Sequence, residues 1–180
     1  MACNITLADV TFSCEDLGIG GLKTVYLGNK ADLASLVDVT NNVVSVTPTT
    51  TGLDTDGDVV EVQFNLKDGF SVFSEVKTVS ADGVVNTVPT ISIEIPKMSK
   101  DHRNALDNLA KPGAELVAFV ETAAGTYHMV GWEYGLYAAT VDGNSGTGRS
   151  EKNRYQITLT GEEDSLSLAV ESTEWDKVKA

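Results

Sequence analysis

The sequence predicts a mainly β chain: an antiparallel β-sandwich or barrel with one capping helix and an extended β-hairpin arm. Three observations carry this reading. Val60, Val62, Phe64 and Leu66 alternate with Glu61, Gln63 and Asn65, the period of a half-buried strand, and other runs repeat it. Asp-Gly and other glycine turns separate the runs. Only one stretch, about 99–110, has a helical period with signals at both ends. A single helix among strands is most simply a cap over an open face or end.

The bulk numbers fit one domain, 1–180. Its 180 residues, 42% of them apolar, can bury a sizeable core. Lysine and arginine total 13 against 26 acidic residues, a net charge of −13. A field of that sign repels nucleic-acid phosphates and anionic lipid, so tight binding to either is not expected. Cys3 and Cys14 are too few for a disulfide framework and lack a zinc spacing. They read as reduced thiols of a protein made in a cytoplasm. MACNITLADV has no basic region or long apolar run, and no apolar stretch is long enough to span a bilayer. Membrane insertion is not expected.

In chain order, residues 1–21 read as a flexible N-terminal arm ending in Gly18-Ile19-Gly20-Gly21. Leu22 to Leu27 is a strand. Lys30 to Leu36 fits either one helical turn or a loop. Val43, Val44 and Val46 suggest a second strand, and 47–58, rich in Pro, Gly, Thr and Asp, a mobile loop. From Val59 three long strands, turning at Lys67-Asp68-Gly69 and Ala81-Asp82-Gly83, predict an antiparallel meander. Its second hairpin is rich in β-branched residues to the tip, an aggregation hazard unless a neighbour covers it. The candidate contact residues are Glu75, Val76, Lys77, Val79, Val84, Val85 and Val88.

In the helix, Ser99 is the N-cap, Asp101 suits the first-turn dipole, and Pro112 and Gly113 stop it. Ala105, Leu106, Leu109 and Ala110 form its apolar stripe. Beyond it, Glu115–Thr122 and Tyr127–Trp132 predict a second hairpin. Residues 142–150 read as a loop, Tyr155–Thr160 as a strand, and Leu166, Leu168 and Val170 as the closing strand.

Several motifs suggest chemistry, each with a plainer reading. Residues 143–150, GNSGTGRS, are one residue from a phosphate loop, with Arg149 where lysine belongs. A phosphate loop must follow a buried parallel strand and open a helix, whereas an alternating strand follows here. Asp54, Asp56 and Asp58 resemble half a calcium loop, but Gly57 is misplaced and Asn65 stands at position twelve. An acidic turn is the plainer reading. His102 and His128 have no nucleophile signature beside them. Trp132, Tyr134 and Tyr137 could form a sugar platform, or be cross-strand pairs. No catalytic residue or cofactor is implied, and an enzyme is not expected.

The order of pieces resembles the tail tube (major tail) proteins of tailed bacteriophages, of the kind seen in phages and prophages of gut Bacteroides. The runs that carry it are IEIPKMSKDHRNALDNLA, ending at Ala110, then 114–138 (AELVAFVETAAGTYHMVGWEYGLYA) and 147–163 (TGRSEKNRYQITLTGEE). Within them stand Gly131, Gly135 and Leu136 of a G-x-x-x-G-L element, and Tyr155, Thr158, Leu159 and Gly161 of the closing segment. The match covers about half the chain; residues 1–60 add almost nothing. The resemblance implies a virion structural protein, made in the host bacterium, that forms stacked hexameric rings with itself and meets other tail proteins. DNA would pass through transiently without tight binding. Glu61, Gln63, Glu94 and Glu171 are then candidates to line the lumen, as polar residues on strand faces. Other expectations of the same acidic β character are a head–tail ring, a tail terminator, a decoration protein, or a carbohydrate- or surface-binding β-sandwich.

Overall fold

The computed structural model describes residues 20–62, 71–148 and 151–180. The chain runs β1 (Leu22–Asn29), α1 (Lys30–Leu33), β2 (Val37–Thr40), β3 (Val43–Val46), α2 (Leu53–Asp56), β4 (Val59–Glu61), β5 (Val72–Val79) and β6 (Val85–Pro96). It continues through α3 (Lys100–Leu109), β7 (Leu116–Thr122), β8 (Tyr127–Val130), β9 (Leu136–Asn144), β10 (Arg154–Gly161), β11 (Leu168–Ala169) and α4 (Ser172–Lys179). The fold is mainly β and antiparallel, a sandwich capped by α3, as the alternating runs predict. Among the described residues no helix is long and apolar enough to cross a membrane.

Among the described residues nine strands join into one sheet that folds at a corner. One leaf holds β4, β1, β7, β8 and β11; the other holds β9, β10, β6 and β5. The corner is the single pair Leu116–Leu136 between β7 and β9. Gly131 and Gly135 make it possible. Both have positive φ, 84° and 85°, where a side chain is strained. A Cβ on Gly131 would also meet Leu136 Cγ at 2.6 Å and Leu116 O at 2.8 Å. The G-x-x-x-G-L spacing is therefore what turns the chain from one leaf to the other.

The leaves bury two apolar clusters. The first lies between them: Val25 and Leu27 of β1 and Ala118 and Val120 of β7 face Ile93 of β6 and Ile157 of β10. Leu106 of α3 closes one end of it. The helix begins as predicted, with Ser99 Oγ accepting from His102 N at 3.1 Å. Its buried stripe is narrower than predicted: Leu106 is buried and Leu109 half-buried, while Ala105 and Ala110 stay exposed. The second cluster covers the outer side of the first leaf, where Tyr26, Val117, Phe119 and Met129 meet the β2–β3 hairpin and α4. β7 is buried on both faces from Leu116 to Glu121.

Four expectations change here. β2 and its hairpin are an addition: Asn41 and Asn42 both take positive φ, the left-handed pair of a two-residue turn. Residues 47–58 are not simply a loop, because α2 lies among them and fully buries Leu53. The predicted meander does not hold at its first strand, since β4 pairs with β1 through Tyr26–Glu61, Leu27–Val60 and Gly28–Val59. Phe64, Leu66 and the turn at Lys67-Asp68-Gly69 lie outside the described residues. Finally, β9 runs on to Asn144 where a loop was expected, and α4 follows β11.

The β2–β3 layer is tied to α4 at Val46, by Glu174 and by Lys177 Nζ, which donates to Val46 O at 3.2 Å. Glu174 accepts from Val46 N at 2.7 Å and from Lys177 Nζ at 2.8 Å. Burial works against its ionisation, but these hydrogen bonds outweigh it and hold the carboxyl below its ordinary value. A lowered folded-state value stabilises above the unfolded pKa and is lost as pH falls through the folded one. Glu174→Gln should therefore cost about 1 kcal/mol near neutral pH. In urea melts, the gap from wild type should close well below pH ~4. A gap unchanged with pH would exclude the charge as the cause.

Candidate functional site

The hairpin arm is present, and it divides into a seated base and a bare tip. At the base, Glu75 accepts from Ser167 N at 2.6 Å and from Ser167 Oγ at 2.9 Å. Thr87 exchanges both backbone hydrogen bonds with Glu163. Val88 is half-buried. Beyond that point none of the described residues covers the tip: Val76, Val79 and Val84 are 59%, 68% and 64% exposed, and Val85 and Lys77 are exposed with them. Ser80 and Gly83 close the turn, with Gly83 at φ 81°. Of the seven contact candidates, Glu75 and Val88 belong to the base and five belong to the tip.

The strands behind the arm form the second feature. In the β9-β10-β6-β5 leaf, alternate residues point away from the core, with hydroxyl side chains across its middle and the exposed Val72 and Val76 on β5. Register places Ser92 beside Thr158, Thr158 beside Thr140, and Thr160 beside Thr90. Ser92 Oγ and Thr158 Oγ1 lie 3.5 Å apart. Both edges of this leaf are open among the described residues: β5 pairs only with β6, and β9 beyond Leu136 pairs only with β10.

The acidic lumen candidates are not brought to one face. Glu94 does lie on the hydroxyl face, but it is 1% exposed and held by Arg154 and by Lys152 at 3.4 Å. Its negative charge is neutralised in place instead of facing solvent. Glu61 is on β4, exposed, on the Tyr26 side of the other leaf. Glu171 is the exposed residue that begins α4. Gln63 lies outside the described residues. Alternation alone could not show this, because it assigns faces but not what crosses them.

The remaining candidates also separate. Asp54 and Asp56 lie in α2, and Asp56 turns its carboxylate to Thr50. Those hydrogen bonds hold Asp56 below the ordinary carboxylate range. Asp58 Oδ2 is buried without a partner. No group of three metal-type ligands forms among the described residues, so the calcium-loop candidate gains no support. Residues 143–148 extend an antiparallel hairpin, with Gly143 opposite Tyr155 and no helix after it; Arg149 and Ser150 lie outside the described residues. Trp132 packs against the second cluster, Tyr134 donates to Asp164, and Tyr137 stands on the hydroxyl face, so they make no shared platform.

The histidines are structural in their contacts. His102 Nδ1 donates to Lys97 O at 2.9 Å. His128 lies with Nδ1 3.3 Å from Ser167 Oγ and Nε2 3.2 Å from Thr126 Oγ1. Burial lowers its pKa, with Glu75 pulling the other way. Ser167 stands between His128 and Glu75 and gives its proton to the carboxylate, the reverse of a nucleophile relay. Glu163 beneath the arm accepts from Glu133 N and Tyr134 N; burial raises its pKa in spite of them.

Compared with protein-family models, curated proteins and solved structures, the chain matches none of them.

Proposed function

We propose that this chain is a structural subunit of a phage tail tube, which polymerises as stacked, hexameric rings around a channel for DNA. The observation that supports it is the β9-β10-β6-β5 leaf, with two open edges and a hydroxyl-rich outer face. An open edge strand is a standing template for another strand. Copies joined edge to edge close into a barrel with no edges left. At ~4.8 Å per strand, four strands from each of six copies give a circumference of about 115 Å and a backbone diameter of about 37 Å. Strand tilt widens it further, leaving room for a duplex.

Hydroxyl side chains facing that duplex offer weak, exchangeable contacts, and the net charge of −13 favours no lasting hold on phosphate. Such a lining is neutral and polar, so in this proposal repulsion comes from the whole subunit. The reading needs no catalysis. Negative-stain electron microscopy of the purified protein tests it. Hollow rings or tubes with a duplex-sized hole are expected. Isolated rings that never stack would favour a head–tail ring, and solid fibrils or a monomer at every concentration would overturn the tube.

A further inference from the structure

We infer that the bare arm tip of one copy seats in an apolar cavity beneath α3 of a second copy. The inference rests on the self-assembly proposed above and names its contact. The cavity has a volume of about 560 Å³ and lies between α3 and the β1–β4 edge. Leu27, Ile95, Leu106 and Leu116 form its floor, and Val60 and Leu109 its walls. Val60 is 64% exposed, so this apolar wall stands in water like the valines of the tip. Among the described residues one chain therefore carries both an uncovered apolar knob and an open apolar hole.

The knob cannot fill the hole of its own chain. Val85 at the tip and Ile95 at the cavity are ten residues apart on one continuous strand, roughly 33 Å at the usual rise. A second copy supplies the tip in this arrangement, and the contact is head-to-tail along β6. Such a heterologous contact repeats from copy to copy without using itself up. It runs along the strands, whereas edge pairing runs across them.

Charge agrees with this seating. Val79 and Val85 are a cross-strand pair on one face of the arm, and Lys77 follows on that same face. Lys77 is exposed and has no ion pair among the described residues. The cavity rim carries Asp32, Asp58 and Glu61, and Asp58 has the buried, unpartnered Oδ2. Seating Val79 and Val85 brings a cation to an acidic rim that holds no lysine or arginine among the described lining residues.

Directed cross-linking tests it, in full-length chains with Cys3 and Cys14 replaced by serine. Val84→Cys in one preparation and Ala105→Cys in another, both at exposed positions, are mixed and mildly oxidised. Mixed disulfide dimers are expected in large excess over either like pair, and a chain carrying both changes should give ladders. Lys77→Glu should weaken self-association at least ten-fold, with Glu61→Lys restoring it. Tubes that form without the mixed cross-link would overturn the docking and leave the tube reading standing. Cross-linked open filaments with no hollow ring would support the docking and overturn the tube. Only tip-to-tip dimers, or no cross-link in any state, would overturn the docking outright.

Discussion

Gly131→Ala should destabilise the fold by about 2–5 kcal/mol, the sum of a left-handed-backbone penalty and overpacking. Both terms are visible at the corner. The residue sits at φ 84°, and the added methyl would meet Leu136 and the Leu116 carbonyl within 3 Å. Neither neighbour can yield, because Leu136 is fully buried and Leu116 O is backbone. Against a total stability of about 5–15 kcal/mol, much of the protein would be close to unfolding. Gly125→Ala is the control. It has the same sign of φ, 82°, but open space around it, so only the backbone penalty of about 1–2 kcal/mol applies. Chemical denaturation of the two variants beside wild type measures the difference; equal losses would show that crowding at the corner is relieved by movement of a leaf.

Trp175→Ala should cost about 3–5 kcal/mol, as for other buried large-to-small changes. The indole is 2% exposed, stacks on Tyr127 with ring centres 4.8 Å apart and meets Tyr26 edge-on at 5.6 Å. It is the main wedge that α4 drives into the second cluster. Its loss also uncovers Tyr26, whose phenol burial now pushes up to about 12. A spectrophotometric titration should show that tyrosine returning toward its ordinary range, and the melting temperature should fall by roughly 10 °C. A fall of only a degree or two would mean that α4 is dispensable for the sheet.

What could be read from the sequence was what is local. Ser99, the stop at Pro112-Gly113 and the 3.6-residue spacing placed α3 within a residue or two, because a helix is specified by neighbours in the chain. The β2–β3 hairpin had a local signal too: Asn41-Asn42 between Val37, Val39 and Val44, Val46. So did α4, in Trp175 and Val178 three apart with Glu174 early and Lys177 and Lys179 late. Partner choice was not legible. Nothing near Val59 says that β4 joins β1 instead of β5, since that is decided by which leaf leaves a place for it. The candidate site was half legible: the valine tip stood out in the sequence, but the open edges of its leaf depend on a single pair, Leu116–Leu136. Glu94 shows the same limit, because its face was predictable and its burial beneath Arg154 and Lys152 was not.

The double burial of β7 has a consequence for the order of events during synthesis. One face of that strand waits for Ile157 and Leu159, and the other for Trp175 and Val178. A growing chain that has made β7 already holds part of each cover in β6 and the β2–β3 hairpin, but the second part of the inner cover comes only with β10 and that of the outer cover only with α4. Folding to completion on the ribosome is therefore late, and a chain broken off early exposes a sticky strand to chaperones and proteases. The same delay bears on incomplete chains: the outer layer closes fully only on those that include α4.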